Sequence, residues 1–314
     1  MTASDPKRSL IFGTKTLASE DIELTCSGVL DIAGSRYWTA SLLPALAGTT
    51  LPFWLRPANF SIWWFGAIAF LIATVLFHAG FSLLRAGLGG LPTVDWPRSR
   101  LLKTGGICII ASCFVGLQLN QGLKLHSGVP DYIFLVYGIC VLFVGALYVV
   151  PPLNFCRRAG GEIILAKSLG FMPVLGAYLI QVGDITRKVY VAAVPLIIVT
   201  GLWVWIGELI TRKDDEIQGR GTLVRMFGPR FSGRWVVPGL VILLYSSIVL
   251  AVISGTYSAF ALLALLSIGT AKRVTVYSWH EYANPTAMLD AHKATCHLHL
   301  TVGIVVLTSS LLAP

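Results

Sequence analysis

The feature that most constrains this chain is a succession of nine apolar segments, each about as long as a bilayer crossing. A helix needs about 20 mostly apolar residues to span the hydrocarbon core of a membrane. The segments cover residues 37–56, 60–84, 104–123, 132–151, 162–182, 189–210, 235–254, 256–271 and 294–313. The seventh and eighth are almost contiguous, which predicts a tight helical hairpin. The sequence therefore predicts an all-α integral membrane protein with nine transmembrane helices.

The charges are distributed unevenly between the loops that join these segments. Of the 24 lysines and arginines, 19 fall in the amino-terminal region and in the loops on the same side of the membrane. This asymmetry predicts a multi-pass protein of the cell inner membrane, with a cytoplasmic amino terminus and an external carboxyl terminus. The net charge of +9 lies at membrane surfaces, so anionic headgroups or a phosphorylated substrate are the expected partners, and nucleic acid is not.

The chain divides into two parts by composition. Residues 1–36 mix charged and apolar positions, which predicts a cytosolic or interfacial arm, and residues 37–314 form one transmembrane domain. The six cysteines are scattered without a CxxC pair, so they predict neither a metal site nor a disulfide framework. No apolar core typical of a cleavable signal opens the chain.

The first polar stretch, residues 77–103, follows the second apolar segment. Besides several glycines, it contains one histidine, one acid, four cations and a serine one helical turn after the histidine: His78, Ser82, Arg85, Asp95, Arg98, Arg100 and Lys103. A glycine-rich loop at a helix end exposes backbone N–H groups, and the cations around it favour an anion. The alternative interpretation is a membrane loop that carries only positive-inside residues.

The second polar stretch, residues 207–234, follows the sixth segment. Glu208, Asp214, Asp215 and Glu216 lie there among six cations. Carboxylates at a membrane surface can hold Mg²⁺ on phosphate oxygens, and arginines can bind phosphate directly. The alternative is a solvated loop whose charges pair with each other.

Five further residues are candidates by position. Lys167 lies within the fifth segment, where a charge costs about 2.5–3.5 kcal/mol unless it faces a cavity or a partner. We expect it to point inward, either towards an anion or paired with Glu162. Four histidines, His280, His292, His297 and His299, surround the start of the last segment, but their spacing matches no metal or haem pattern and predicts a polar helix end.

With these loops placed, the sequence resembles the UbiA-type intramembrane prenyltransferases, most of all the 1,4-dihydroxy-2-naphthoate polyprenyltransferase branch. The resemblance runs from about Arg36 to the end of the chain. It is carried by SRYWTASLLPALAGT (35–49), FHAG (77–80), YVVPPLNFCRRAGGE (148–162), GFMPVLGAYLIQVGD (170–184), GRGTLVRMFG (219–228) and NPTAMLDAHKATCHLHLTVG (284–303).

The resemblance implies a ring of helices around a central cavity that opens towards the cytosol and the lipid. It also implies transfer of a polyprenyl group from its diphosphate to an aromatic acceptor, with Mg²⁺ held by loop aspartates. Tyr148 and Tyr178 would line the cavity together with His78 and Ser82.

The chain departs from the family pattern at the metal-holding positions. In the first loop the acidic motif falls on Arg85, Ala86, Gly89 and Asp95, so one acid remains. In the second loop the two aspartate positions hold Thr211 and Asp215, Glu208 replaces an asparagine, and Arg220 replaces a lysine. Asp95, Asp215 and Glu208 are a small set for two Mg²⁺ ions, so degenerate motifs argue against ordinary two-metal transfer.

Three functions remain open from the sequence. The first is a divergent prenyltransferase in which Arg85, Arg100, Lys103, Lys167 and Arg220 hold the diphosphate, and Asp95 and Asp215 hold at most one metal ion. The second is a non-catalytic isoprenoid or quinone-binding protein, or an assembly partner of another membrane protein. The third is a cyclase that ionises a prenyl diphosphate without an acceptor.

Overall fold

A computed structural model of the chain describes residues 37–55, 60–89, 96–127 and 132–312. These ranges are helical throughout, apart from turns, and contain no β-strand. The helices are α1 (Thr39–Leu55), α2 (Trp64–Gly89), α3 (Arg98–Ser127), α4 (Tyr132–Val149), α5 (Gly161–Gly170), α6 (Met172–Val182), α7 (Arg187–Ile217), α8 (Leu223–Phe227), α9 (Pro229–Phe231), α10 (Val237–Ile253), α11 (Ile268–Glu281) and α12 (Pro285–Leu311). The predicted arm, residues 1–36, and Asp95 lie outside the described residues.

The long helices follow the nine predicted segments. Eight helical segments in the described part are long and apolar enough to cross a membrane, and α1, with 17 residues, is slightly shorter than the others. Helices α5 and α6 share one crossing. A 3₁₀ segment, Ala259–Ser267, continues into α11 to form another. The all-α membrane architecture predicted from the sequence is confirmed.

Several helix boundaries differ from the prediction because polar residues extend the helices beyond the apolar segments. Helix α7 continues to Ile217, and α12 begins at Pro285, nine residues before its predicted start. Asn284 caps α12 by accepting hydrogen bonds from the N–H groups of Thr286 and Ala287, and Pro285 occupies the first helical position. These extensions bring loop residues of the sequence motifs onto helix faces.

Small residues allow the helices to approach closely. A Cβ atom placed on Gly48 of α1 would lie 2.3 Å from the Val174 carbonyl oxygen of α6. A Cβ on Gly105 of α3 would lie 2.9 Å from the Gly80 carbonyl oxygen of α2. Helix association in lipid depends on such close packing, since lipid tails are as apolar as the side chains.

The outer faces of α2, α3 and α4 expose large apolar side chains, among them Ile110, Phe114 and Phe143. Apolar surface of this extent is stable only against lipid or a partner. Helix α7 is the most buried of the candidate spans and packs against α5, α10 and α12. The protein is therefore a multi-pass membrane protein whose core is built around α7.

Candidate functional site

A cavity of about 420 Å³ lies among helices α1 to α7 and the start of α12. Most of its wall is apolar or aromatic, including Phe70, Phe77, Phe134 and Tyr137. Arg85 and Glu208 are the charged side chains that line it in the described part of the chain. The cavity therefore has a long apolar wall and one charged end.

Helix α2 brings His78, Ser82 and Arg85 to the cavity. They are spaced four and three residues apart, so they share one helix face. The seven residues from His78 to Arg85 correspond to roughly 10 Å along the helix axis. The sequence prediction that His78 and Ser82 line the cavity agrees with this arrangement, and Tyr148 of α4 lines it as well.

Arg85 is the unusual residue of the charged end. Its Nε atom is buried and has no hydrogen-bond partner, and its guanidinium forms no ion pair among the described residues. It interacts electrostatically with Tyr148, Cys156, Glu208 and Asp215. A buried charge without a bonded counterion is costly. This guanidinium therefore has free donors at the end of the cavity.

Helix α7 supplies the acidic side of the same end. Glu208, Thr211 and Asp215 lie on one helix face because α7 runs through to Ile217. The Glu208 carboxyl lines the cavity, interacts with Asp215, and leaves Oε2 buried without a partner. Asp215 lies outside the cavity lining.

Each oxygen of the Asp215 carboxylate accepts a hydrogen bond from the protein. Its Oδ1 atom accepts a hydrogen bond from Arg220 Nη1 at 3.2 Å, and Oδ2 accepts one from Thr211 Oγ1 at 3.0 Å. The Asp215 and Arg220 side chains are 2% and 11% exposed, so the ion pair is nearly buried. The two residues form a closed ion pair beside the open end of the cavity.

Hydrogen bonds join the loop that precedes α5 to the loop that precedes α8, next to the Asp215–Arg220 pair. Glu162 at the start of α5 accepts hydrogen bonds from the N–H groups of Leu223, at 2.5 Å, and Gly160, at 3.1 Å. The Gly221 N–H donates to the Arg157 carbonyl at 2.9 Å. Burial raises the pKa of the thiol of Cys156, which belongs to the 3₁₀ turn Phe155–Arg157 of the loop that precedes α5, although the nearby Arg85 and Arg220 charges act in the opposite direction.

The described residues do not fit a two-metal site. The described residues contain no group of three or more His, Cys, Asp or Glu side chains that could hold a metal ion. Both oxygens of Asp215 already accept hydrogen bonds, and Glu208 is the acid that remains available at the cavity. Two Mg²⁺ ions need more carboxylate oxygens than this arrangement offers.

Two predicted orientations are wrong. Lys167 is exposed and absent from the cavity wall, because its position on α5 faces away from α7. Its suggested partner, Glu162, binds backbone N–H groups instead. Tyr178 is completely buried in the helix core and does not line the cavity.

The remaining predicted cations lie away from the cavity. Arg100 and Lys103 are exposed on the first turns of α3, and Arg100 lies over the Trp96 ring, 5.2 Å from its centroid. Arg220 reaches the charged cluster but is bound to Asp215. Of the five cations predicted to bind diphosphate, Arg85 is the one that lines the cavity.

The sequence analysis did not identify a set of cavity residues around His292. Tyr37, Ser41, Trp203 and His292 line the cavity together with His78. His292 and His299 are seven residues apart, so they lie on the same face of α12, and this spacing is the signal that could have indicated a shared environment. His280 and His297, in contrast, are exposed.

The fold can be compared with solved structures. A UbiA homologue from Aeropyrum pernix K1 in its apo form matches with a TM-score of 0.65 and 16% identity, covering 88% of this chain and 97% of that one. The chain has the UbiA fold. A digeranylgeranylglyceryl phosphate synthase matches the fold with a TM-score of 0.59 and 14% identity, over 91% of this chain and 98% of the other.

A third structure shows a ligand in the same fold. A UbiA homologue from Archaeoglobus fulgidus bound to GPP and Mg²⁺ matches with a TM-score of 0.53 and 14% identity, over 90% of this chain and 99% of that chain. No protein-family model and no curated protein sequence matches this chain. The likeness thus establishes the UbiA fold, and the chemistry has to be argued from the residues in the cavity.

Proposed function

We propose that this protein is a divergent membrane prenyltransferase that transfers a polyprenyl group from its diphosphate to an aromatic or quinone-precursor acceptor. The observation that carries the proposal is Arg85, whose buried guanidinium faces the cavity without a hydrogen-bonded counterion. An arginine fork matches phosphate oxygens in charge and geometry. A bound diphosphate would be the counterion of Arg85.

The rest of the cavity suits the apolar part of such a substrate. Its volume of about 420 Å³ falls within the range of small-molecule pockets, roughly 300–1,000 Å³. Phe70, Phe77 and Phe134 provide apolar contact for an isoprenoid chain. In transfer, the bond between the prenyl carbon and the diphosphate oxygen breaks. The same carbon then bonds to the acceptor, which loses a proton.

In the family that the sequence resembles, Mg²⁺ stabilises the leaving diphosphate. Here a fixed positive charge would supply part of that stabilisation. Stabilisation of a leaving diphosphate requires charge that is already in place when the bond breaks. Arg85 meets this condition, whereas Arg220 is neutralised by Asp215. Mg²⁺ appears with GPP in the solved A. fulgidus structure, but the described acids of this chain do not fit a two-metal site. We therefore expect activity that does not depend on two metal ions.

A second candidate is a non-catalytic protein that binds an isoprenoid or a quinone, or assists another membrane protein. The closed Asp215–Arg220 ion pair favours it, because this pair removes a motif acid from metal binding. Under either function, the charge asymmetry supports an inner-membrane location with the amino terminus in the cytoplasm.

The test is turnover by the purified protein in detergent or nanodiscs. A labelled prenyl diphosphate is incubated with neutral and anionic aromatic acceptors, once with Mg²⁺ and once with EDTA. We expect a prenylated acceptor in both conditions, because Arg85 provides charge that EDTA cannot remove. The control variant is Arg100→Gln, which changes an exposed arginine outside the cavity.

Other outcomes decide between the candidates. Binding of the prenyl diphosphate without any product supports the non-catalytic protein. A hydrocarbon formed from the diphosphate alone indicates the cyclase. Absence of both binding and turnover overturns the proposal, as does turnover that EDTA abolishes completely.

A further inference from the structure

The part of the cavity away from Arg85 is lined by two histidines and the groups that hold them. We name this the imidazole wall and define it as Tyr37, Ser41, His78, Trp203 and His292, all of which line the cavity. Tyr37 contacts the Trp203 ring at 5.4 Å and the His292 ring at 6.5 Å between centroids. Arg85 and Glu208, the residues of the charged end, do not belong to this wall.

The hydrogen bond from Trp203 fixes the tautomer of His292. The indole Nε1–H of Trp203 donates to His292 Nε2 at 3.0 Å. An indole nitrogen only donates, so His292 Nε2 must hold a lone pair and Nδ1 must carry the proton. Nδ1 is buried and has no partner among the described protein groups. The wall therefore contains an N–H donor without an acceptor.

The hydrogen bonds of Ser41 fix the tautomer of His78 and leave its outer nitrogen as an acceptor. The Ser41 hydroxyl lies 3.1 Å from the Trp38 carbonyl oxygen and 3.2 Å from His78 Nδ1. A hydroxyl has one proton, so both contacts are satisfied when Ser41 donates to the carbonyl and accepts from a proton on His78 Nδ1. His78 Nε2 then holds the lone pair and acts as an acceptor. No hydrogen bond to Nε2 is formed within the described residues.

The two imidazoles are held near each other by one short stretch of chain. Tyr37 contacts His292, and Ser41, four residues later, bonds to His78. Both imidazoles line the same cavity, so the donor of His292 and the acceptor of His78 belong to one cavity wall.

We infer that the imidazole wall binds a neutral oxygenated ring, with His292 Nδ1–H donating to a ring oxygen and His78 Nε2 accepting from a ring hydroxyl. Hydroxylated aromatics and quinone-level rings carry this combination of groups. An aromatic carboxylate fits poorly, because the described charges on the cavity are Arg85 and Glu208 at its other end. Trp203 and Tyr37 supply aromatic faces beside the ring.

This inference deepens the proposed function by naming the class of acceptor, and it rests on that proposal only for calling the ring an acceptor. Binding of the ring is measured without any prenyl diphosphate. Failure of ring binding and failure of prenyl transfer are therefore distinguishable results.

The experiment compares two probes that share one ring and differ in charge. Methyl 4-hydroxybenzoate is neutral and carries a hydroxyl and a carbonyl oxygen, whereas 4-hydroxybenzoate is an anion at neutral pH. Titration calorimetry on the detergent-purified protein should give tighter binding for the ester. His292→Phe and His78→Leu should each weaken ester binding by about fivefold, the usual effect of one neutral hydrogen bond.

Matched variants separate recognition from folding. His297→Phe changes an exposed histidine on the same helix as His292 and should leave binding unchanged. His292→Gln keeps an N–H donor and should recover part of the affinity. Methylation of the ring hydroxyl should weaken binding to wild type but not to His78→Leu.

Two results would overturn the inference. One is tighter binding of the carboxylate than of the ester, with the difference removed by Arg85→Met, which would put the ring at the charged end. The other is ester binding that neither histidine variant changes while both remain folded, as judged by thermal unfolding.

Discussion

Two arginines, Arg85 and Arg220, lie around the same polar cluster, and their surroundings differ. Arg220 binds the Asp215 carboxylate at 3.2 Å and lies outside the cavity wall. Arg85 lines the cavity and has no hydrogen-bonded counterion among the described residues. Arg220 therefore belongs to the framework, and Arg85 is available to a ligand.

The comparison teaches that a cation in a motif position is not by itself evidence for an anion site. A buried ion pair is satisfied internally and is destabilising mainly when one partner is lost. An unpaired buried cation costs stability in the free protein and recovers it when an anion binds. Arg85 and Arg220 should therefore respond to mutation in opposite ways.

Arg85→Met should have the largest effect on binding. Loss of the guanidinium should weaken prenyl diphosphate binding by about a hundredfold, in line with about 3 kcal/mol for a charged hydrogen-bonded group. The same change should raise the thermal stability of the ligand-free protein, because it removes an unpaired buried charge. Scintillation binding and thermal unfolding measure the two effects, and a variant that loses stability would contradict this view of Arg85.

Asp215→Asn should act mainly on stability. It leaves Arg220 buried without its counterion, and breaking a buried pair costs about 3 kcal/mol or more. The unfolding free energy of the variant in mixed detergent micelles should fall by this amount. The double variant Asp215→Leu/Arg220→Met should recover most of the loss. If Asp215→Asn removed Mg²⁺-dependent turnover without destabilising the protein, Asp215 would be a metal ligand instead.

Glu208→Gln tests how the acid near Arg85 affects the binding of a diphosphate. The Glu208 carboxyl lies near Arg85 and lines the cavity. At a pH at which this carboxyl is ionised, removal of its negative charge should strengthen diphosphate binding by about threefold or more, since like charges near a bound anion oppose it. Weaker binding in the variant, restored by higher Mg²⁺, would mean that Glu208 holds a metal ion. Glu216→Gln, an exposed change on the same helix, is the control.

The smallest effect is expected at Cys156, whose thiol pKa is raised by burial and lowered again by the Arg85 and Arg220 charges. The thiolate is the reactive form, so a raised pKa slows alkylation at pH 8. Arg85→Met removes one of the charges that favour the thiolate, so alkylation at pH 8 should become slower still. The rate is measured by mass spectrometry, with Arg100→Gln as the control, and a faster reaction in Arg85→Met would contradict this arrangement.

Much of the fold could be predicted from the sequence because lipid imposes simple requirements. Nine apolar segments gave the helices, since backbone groups in a bilayer must be satisfied within each segment. The positions of Arg85, Glu208 and His78 followed from motif register and helical spacing. Lys167 was misjudged, because an apolar segment around a charge does not reveal which face of its helix meets lipid.

The sequence alone determined a helical membrane protein with two polar stretches in which cations outnumber acids, since hydrophobic length and residue identity are local properties. The tertiary structure decided which cation is free, because Arg85 and Arg220 differ only in what the fold brings beside them. It also decided the imidazole wall, whose residues lie up to 255 positions apart, from Tyr37 to His292. Such distant contacts depend on how the helices pack, and no local pattern encodes them.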